Sequence, residues 1–140
     1  MSFTQTLERA LLDLVWGGSA YSPAASLYIG LSTTTINNDG TGITEPSGGA
    51  GYARVEVTND ATEWPQATSG GPAIKQNANE IQFPTASGSW GTVTYFFIAT
   101  DPSSTLAADI IAFGELDVPR AIENNDTASF AAGAITITLD

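Results

Sequence analysis

The chain has 140 residues, a formal net charge of -11, no histidine and no cysteine. Without imidazole or thiolate it cannot form a Ser-His-Asp triad, a thiol nucleophile or an ordinary zinc site, and its acidity would repel nucleic-acid phosphates and anionic lipid headgroups. What remains is a kit of carboxylates, hydroxyls, aromatic rings and backbone, suited to a structural or binding protein on a single domain, residues 1–140.

Residues 3 to 16 carry the only helical period, with Phe3, Leu7, Ala10, Leu11, Leu14 and Val15 recurring as one apolar stripe. Ser2 with Gln5 resembles a capping box, and Gly17-Gly18 stops the helix. Such a stripe packs on a sheet of its own subunit or docks on a neighbour, and Phe3 and Leu7 are candidate contact residues. The N-terminus lacks the basic-then-apolar pattern of a signal peptide, and no apolar run approaches the length of a membrane span.

From Tyr21-Ser22-Pro23 onward the period becomes two. Leu27, Ile29 and Leu31 alternate with Tyr28, Gly30 and Ser32 as a first strand. Residues 33–51 then form a long polar stretch rich in turn formers, the best candidate contact loop, with Asn37, Asn38, Asp39 and Glu45 as its candidate contact residues. Asn37-Asn38-Asp39-Gly40 invites a calcium reading, but in EF-hand register Thr35 and Pro46 stand where carboxylates belong. A type I′ or similar turn accounts for Asp39-Gly40 without metal, and Gly48-Gly49-Ala50-Gly51 reads as a flexible hinge.

Tyr52 to Thr58 makes a second strand, and residues 63–75, with Pro65, Gly70, Gly71 and Pro72, a second exposed loop before a short strand at Glu80 to Phe83. The strongest strand is Thr92 to Thr100, with Val93, Tyr95, Phe97 and Ala99 on one face and Thr94, Phe96 and Ile98 on the other. Both faces are largely apolar, so this strand is central and covered on both sides, by the chain itself or by another subunit; Phe96 is therefore a candidate contact residue. Residues 109–116, 127–131 and 134–139 complete the set. The fold class is mainly β: an antiparallel β-sandwich of about seven or eight short strands, jelly-roll being one option, with one N-terminal α-helix.

Acid groups are the only plausible catalytic ones, and Glu115 and Asp117, two apart on a strand, could face the same side. Nothing else in the sequence marks a pocket around them. Sugar stacking on an aromatic is a further option, and Trp64 beside Pro65 is the tryptophan expected at the surface, with Trp16 and Trp90 buried. No cofactor or metal is expected, nor a nucleic-acid or membrane partner.

Several segments resemble a family of small virion structural proteins of tailed bacteriophages, variously labelled tail fibre, minor structural or decoration-like. They are Leu11-Leu12-Asp13 through Gly17-Gly18, Leu27 to Thr33, Asp39 to Gly42, Glu45-Pro46, Gly51 to Val55, Ile81 to Pro84, Trp90 to Val93 and Ser129 to Leu139. The resemblance implies a non-enzymatic virion component assembled in the host cytoplasm, and carries no catalytic signature. A chain without repeats or heptads is unlike a fibre shaft. The expectation is therefore a homo-oligomeric capsid decoration protein, a trimer by preference, held to the major capsid protein. The alternative is a tail-fibre or tail-tip component, with tail proteins as partners and host surface carbohydrate as a ligand.

Overall fold

The computed structural model describes residues 1–67 and 71–139. Their backbone forms nine strands and one α-helix: β1 Ser2–Phe3, α1 Gln5–Trp16, β2 Ser26–Ser32, β3 Val55–Thr58, β4 Ala73–Gln76, β5 Ile81–Gln82, β6 Gly91–Ala99, β7 Ile110–Ile122, β8 Ser129–Phe130 and β9 Thr136–Leu139. A five-stranded sheet has the order β1-β7-β6-β2-β3, and β4–β9 and β5–β8 form two short ladders; every pairing is antiparallel. The expected loop at 63–75 ends in β4, and its residues 68–70 lie outside the described residues.

The main core lies on one face of the large sheet. Leu27, Ile29 and Leu31 of β2 meet Val57, Phe96, Ile98 and Ala112 from neighbouring strands, and Ile81, Phe83, Trp90 and Ile135 from the second layer pack onto them. The alternation read in β2 thus places its three aliphatic residues together, as period-two geometry requires. In β6 the expected faces change partway. A register shift between Val93 and Tyr95 turns Val93 to the Phe96 and Ile98 side, whereas Phe97 and Ala99 face the other way with Tyr95. The partner strand absorbs the shift: Val93 pairs with Arg120 and Tyr95 with Glu115, so β7 bulges outward over Leu116 to Pro119.

The second face has a smaller core of Ile36, Phe97, Ala99 and Ile110, with Ile43 against it. Its cover is the 33–51 segment. That segment is a fastened lid rather than a mobile loop, since Thr33 N–H donates to the Thr44 carbonyl (2.9 Å), the Thr34 hydroxyl to the Gly42 carbonyl (2.6 Å) and Thr44 N–H to the Ser32 hydroxyl (3.1 Å). Nor is the glycine cluster a hinge: Gly48–Ala50 is a 3-10 turn whose Gly49 N–H donates to the capping Ser47 hydroxyl.

Phe97 lies across Gly30. A Cβ built on Gly30 would stand 2.2 Å from the Phe97 ring, so only glycine admits the ring here. Above the same ring sits the Arg54 guanidinium, 4.9 Å from the centroid.

The helix is held by its first residues. Ser2 and Phe3 pair with Phe113 and Ala112, and the buried Thr4 bonds to β7 through its N–H to Ile111 O (3.0 Å) and its hydroxyl to Ile110 O (2.5 Å). The N-cap is therefore Thr4, without a side-chain cap, and the expected Ser2-Gln5 capping box is absent because Ser2 is spent on β1. At the other end Gly17 N–H and Ser19 N–H both donate to the Asp13 carbonyl, which closes the helix where the glycines placed its end.

Candidate interaction surfaces

The helix carries the largest exposed apolar surface. Residues three and four apart share a helix face, so Leu7 and Ala10 point to the body, half-buried, while Leu12, Val15 and Trp16 point outward. Trp16 is 80% exposed, contrary to the expectation that it is buried, because the last turn of α1 overhangs the sheet and none of the described residues covers it. From Leu11 to Trp16 the helix is apolar on all sides except at Asp13. An all-apolar helical turn in a folded protein ordinarily lies against something. Between α1 and the body runs an uncharged groove of about 270 Å³, lined by Leu7, Ala10, Tyr21, Ala24, Ala108 and Ile111 among others.

The other sequence candidates divide into surface and interior. Asn37, Asn38 and Asp39 are exposed at the tip of the 33–51 segment. There Gly40 N–H donates to Asn37 O, Asn37 N–H donates to Thr41 O, and of these residues only Gly40 has positive φ (85°). This is a type I turn closed by a glycine bulge, not the expected type I′ turn, since Asp39 keeps a negative φ. The Asp39 carboxylate accepts the Thr41 hydroxyl (2.6 Å) and N–H (2.9 Å), which hold its pKa below the ordinary carboxylate value. Its lone pairs are engaged in shaping the turn. Asn38 O also accepts Gln5 N–H (2.9 Å), tying the turn to the start of the helix.

Glu45 is an interior anchor. Its carboxylate takes Arg54 in bidentate fashion, Nε to Oε1 at 3.0 Å and Nη2 to Oε2 at 2.8 Å, while Oε1 also accepts the Tyr52 hydroxyl (2.6 Å). Tyr52 Oη in turn accepts Leu31 N–H (2.9 Å), and Arg54 donates to the carbonyls of Asp101 (2.8 Å) and Ser104 (2.9 Å). The Arg54 side chain is 2% exposed and that of Glu45 21%. Burial alone would lower the Arg54 pKa, but the bonds and charge of Glu45 outweigh it, so the guanidinium is held more firmly charged. Burial, then the Glu45 charge, pushes the Tyr52 phenol far up. The network fastens the lid, β3 and the β6–β7 connection together. Composition had shown only four scattered basic residues, and the one signal for this site was a lone arginine in a strand otherwise destined for the core.

Trp64 and Phe96 are interior as well. Trp64 is 3% exposed within the main core, so it offers no sugar platform. Phe96 is buried against Phe130, centroids 5.2 Å apart, and is not a contact surface. Phe3 is half-buried against the main core, while Leu7 lines the groove.

A cleft of about 590 Å³, which the sequence did not announce, opens between the distal half of β7 and β8, over Phe83, Val93 and Phe130. The β7 bulge places Asp117 and Arg120 on its wall but leaves Glu115 out of it. The two acids considered as a pair are therefore not brought together in this cleft. Among the described residues no group of three or more acid, histidine or cysteine side chains is arranged to hold a metal ion.

No curated protein matches the chain. A family model does, over residues 2–138, from the first residue of β1 to all but the last residue of β9, and the chain belongs to the family described as Podophage GP4 fiber I protein gp80.

Proposed function

We propose that this chain is a non-enzymatic structural component of a podophage tail fibre, built into the virion by adhesion to other chains. The family description speaks of a fibre, which favours the tail over the capsid-decoration reading that compactness had suggested. The observation that carries the proposal is the placement of surfaces: an acidic body with uncharged, apolar side chains gathered at its helix end, where Leu12, Val15 and Trp16 are open. A body of this kind stays soluble by self-repulsion and binds where the charge is absent. Its ordered polar groups fasten the chain to itself, as in the Glu45–Arg54–Tyr52 network and the Asp39 turn. Gold-labelled antibody against the chain, applied to purified particles, tests the location. Label confined to the tail is the expected result, and label spread over the heads would replace this reading by decoration.

A further inference from the structure

We infer that the helix end is a head-to-tail interface between copies of this chain, with Trp16 of one copy seated in the α1–body groove of the next. The inference rests on the fibre reading only in supplying a reason to assemble; its geometry stands on this chain alone. Three observations carry it. First, knob and socket are both present and both vacant of apolar cover: Trp16 is 80% exposed, and the groove over Leu7, Ala10, Tyr21, Ala24, Ala108 and Ile111 encloses about 270 Å³, room for an indole ring.

Second, the chain cannot satisfy itself. Trp16 and Leu7 are nine residues apart, which at about 3.6 residues per turn is two and a half turns and sets them on opposite sides of a rigid helix. Trp16 therefore points away from its own groove. A second copy can fill it, and knob and socket on opposite sides make the contact heterologous rather than reciprocal, so it propagates head to tail, as a ring where the rotation per copy closes and as an open filament where it does not. The closed form is a ring of three or more.

Third, charge and area suit a second copy. The molecule carries -11 overall, yet residues 14 to 26 and the groove side chains named above have no charged group, so Asp13, beside Leu12 in the knob, meets no carboxylate among the groove side chains. An exposed tryptophan offers on the order of 200 Å², and with Leu12 and Val15, the other outward residues, the knob offers on the order of 350 Å². That is somewhat under half of the ~800 Å² that each partner gives to a standard interface, which suits a contact repeated along an assembly rather than an isolated pair.

The test uses the full chain and light scattering after size exclusion, with circular dichroism to confirm the fold. Wild type is expected to form assemblies of three or more copies, a closed ring or an open filament, as concentration rises. Trp16→Ala, which keeps the socket, and Ala10→Glu, which keeps the knob, should each weaken assembly by about 30-fold or more, as hot-spot losses do. Mixed one to one, the two variants should form a heterodimer, because one intact knob then faces one intact socket. Ala24→Glu, on the body wall of the groove, replaces Ala10→Glu if the latter does not fold. A monomeric or dimeric wild type overturns the inference, as does an assembly that survives both socket variants, or a mixture of variants that stays monomeric. Particle labelling bears on the fibre reading separately, since a ring could form on a head as well as a tail.

Discussion

Glu45→Gln isolates the buried charge of Arg54. The substitution keeps size and an acceptor for the Tyr52 hydroxyl, but it removes the only carboxylate paired with a guanidinium whose side chain is 2% exposed. Removing one partner of a buried pair costs about 3–5 kcal/mol, mostly because the other charge is left uncompensated. Two features lower the figure here: Glu45 is 21% exposed, so part of the pair already meets water, and Arg54 retains the Asp101 and Ser104 carbonyls and the Phe97 face. The expected loss is about 3 kcal/mol. With a urea slope of about 1–3 kcal/mol per M, the unfolding midpoint falls by roughly 1–3 M at unchanged slope. Glu45→Leu with Arg54→Met should cost less than Glu45→Gln alone, because no charge is left behind. A Glu45→Gln protein within about 0.5 kcal/mol of wild type would refute the account of the network, since a loss that small is typical of exposed pairs.

Three further outcomes follow from the same coordinates. Tyr52 has its folded pKa raised above 10.0, so its contribution is complete below pH 10 and declines as the pH rises beyond it, where only the unfolded phenol ionises; Tyr52→Phe should be less stable than wild type at pH 7 and show a shallower alkaline decline in urea titrations, and parallel declines would contradict this. Gly30→Ala must displace the Phe97 ring from a 2.2 Å approach and should cost about 1–3 kcal/mol or more, whereas Gly48→Ala, with open space around the added carbon, should change thermal stability little. Phe96→Asp, at first sight a surface probe, places a carboxylate in the main core against Phe130 and should unfold the chain rather than merely dissociate it, as far-ultraviolet circular dichroism would report.

The parts of this fold visible in the sequence are those set by neighbours in the chain. Alternation at Leu27, Ile29 and Leu31 and the glycine stop after Trp16 depend on local geometry alone, and both stand in the structure. The exposures of Trp16 and Trp64 are reversed because they depend on what arrives from elsewhere: Trp64 is enclosed in the main core, and none of the described residues covers Trp16. The Arg54 site was hidden for the same reason, its carbonyl partners lying at Asp101 and Ser104 in a distant turn. The 33–51 segment looked mobile because its turn formers are polar, yet Ile36 and Ile43 within it are the two residues that cover Phe97. Val93 changed faces at an irregularity that spans both strands, Thr94 in β6 standing opposite Leu116 to Pro119 in β7.

The candidate surface was half legible. The apolar stripe of α1 named Phe3 and Leu7, which turn toward the body, while the outward set of Leu12, Val15 and Trp16 emerged only when the helix was seen to overhang the sheet.

A cryo-electron map of the intact particle bears most directly on the claim that this chain builds the fibre by its uncharged end. The account requires the β body to fit density in the tail, with its helix end against another chain and the acidic faces toward solvent. Density for the same body on the capsid shell, or a tail-bound body with Leu12, Val15 and Trp16 in open solvent, would contradict it.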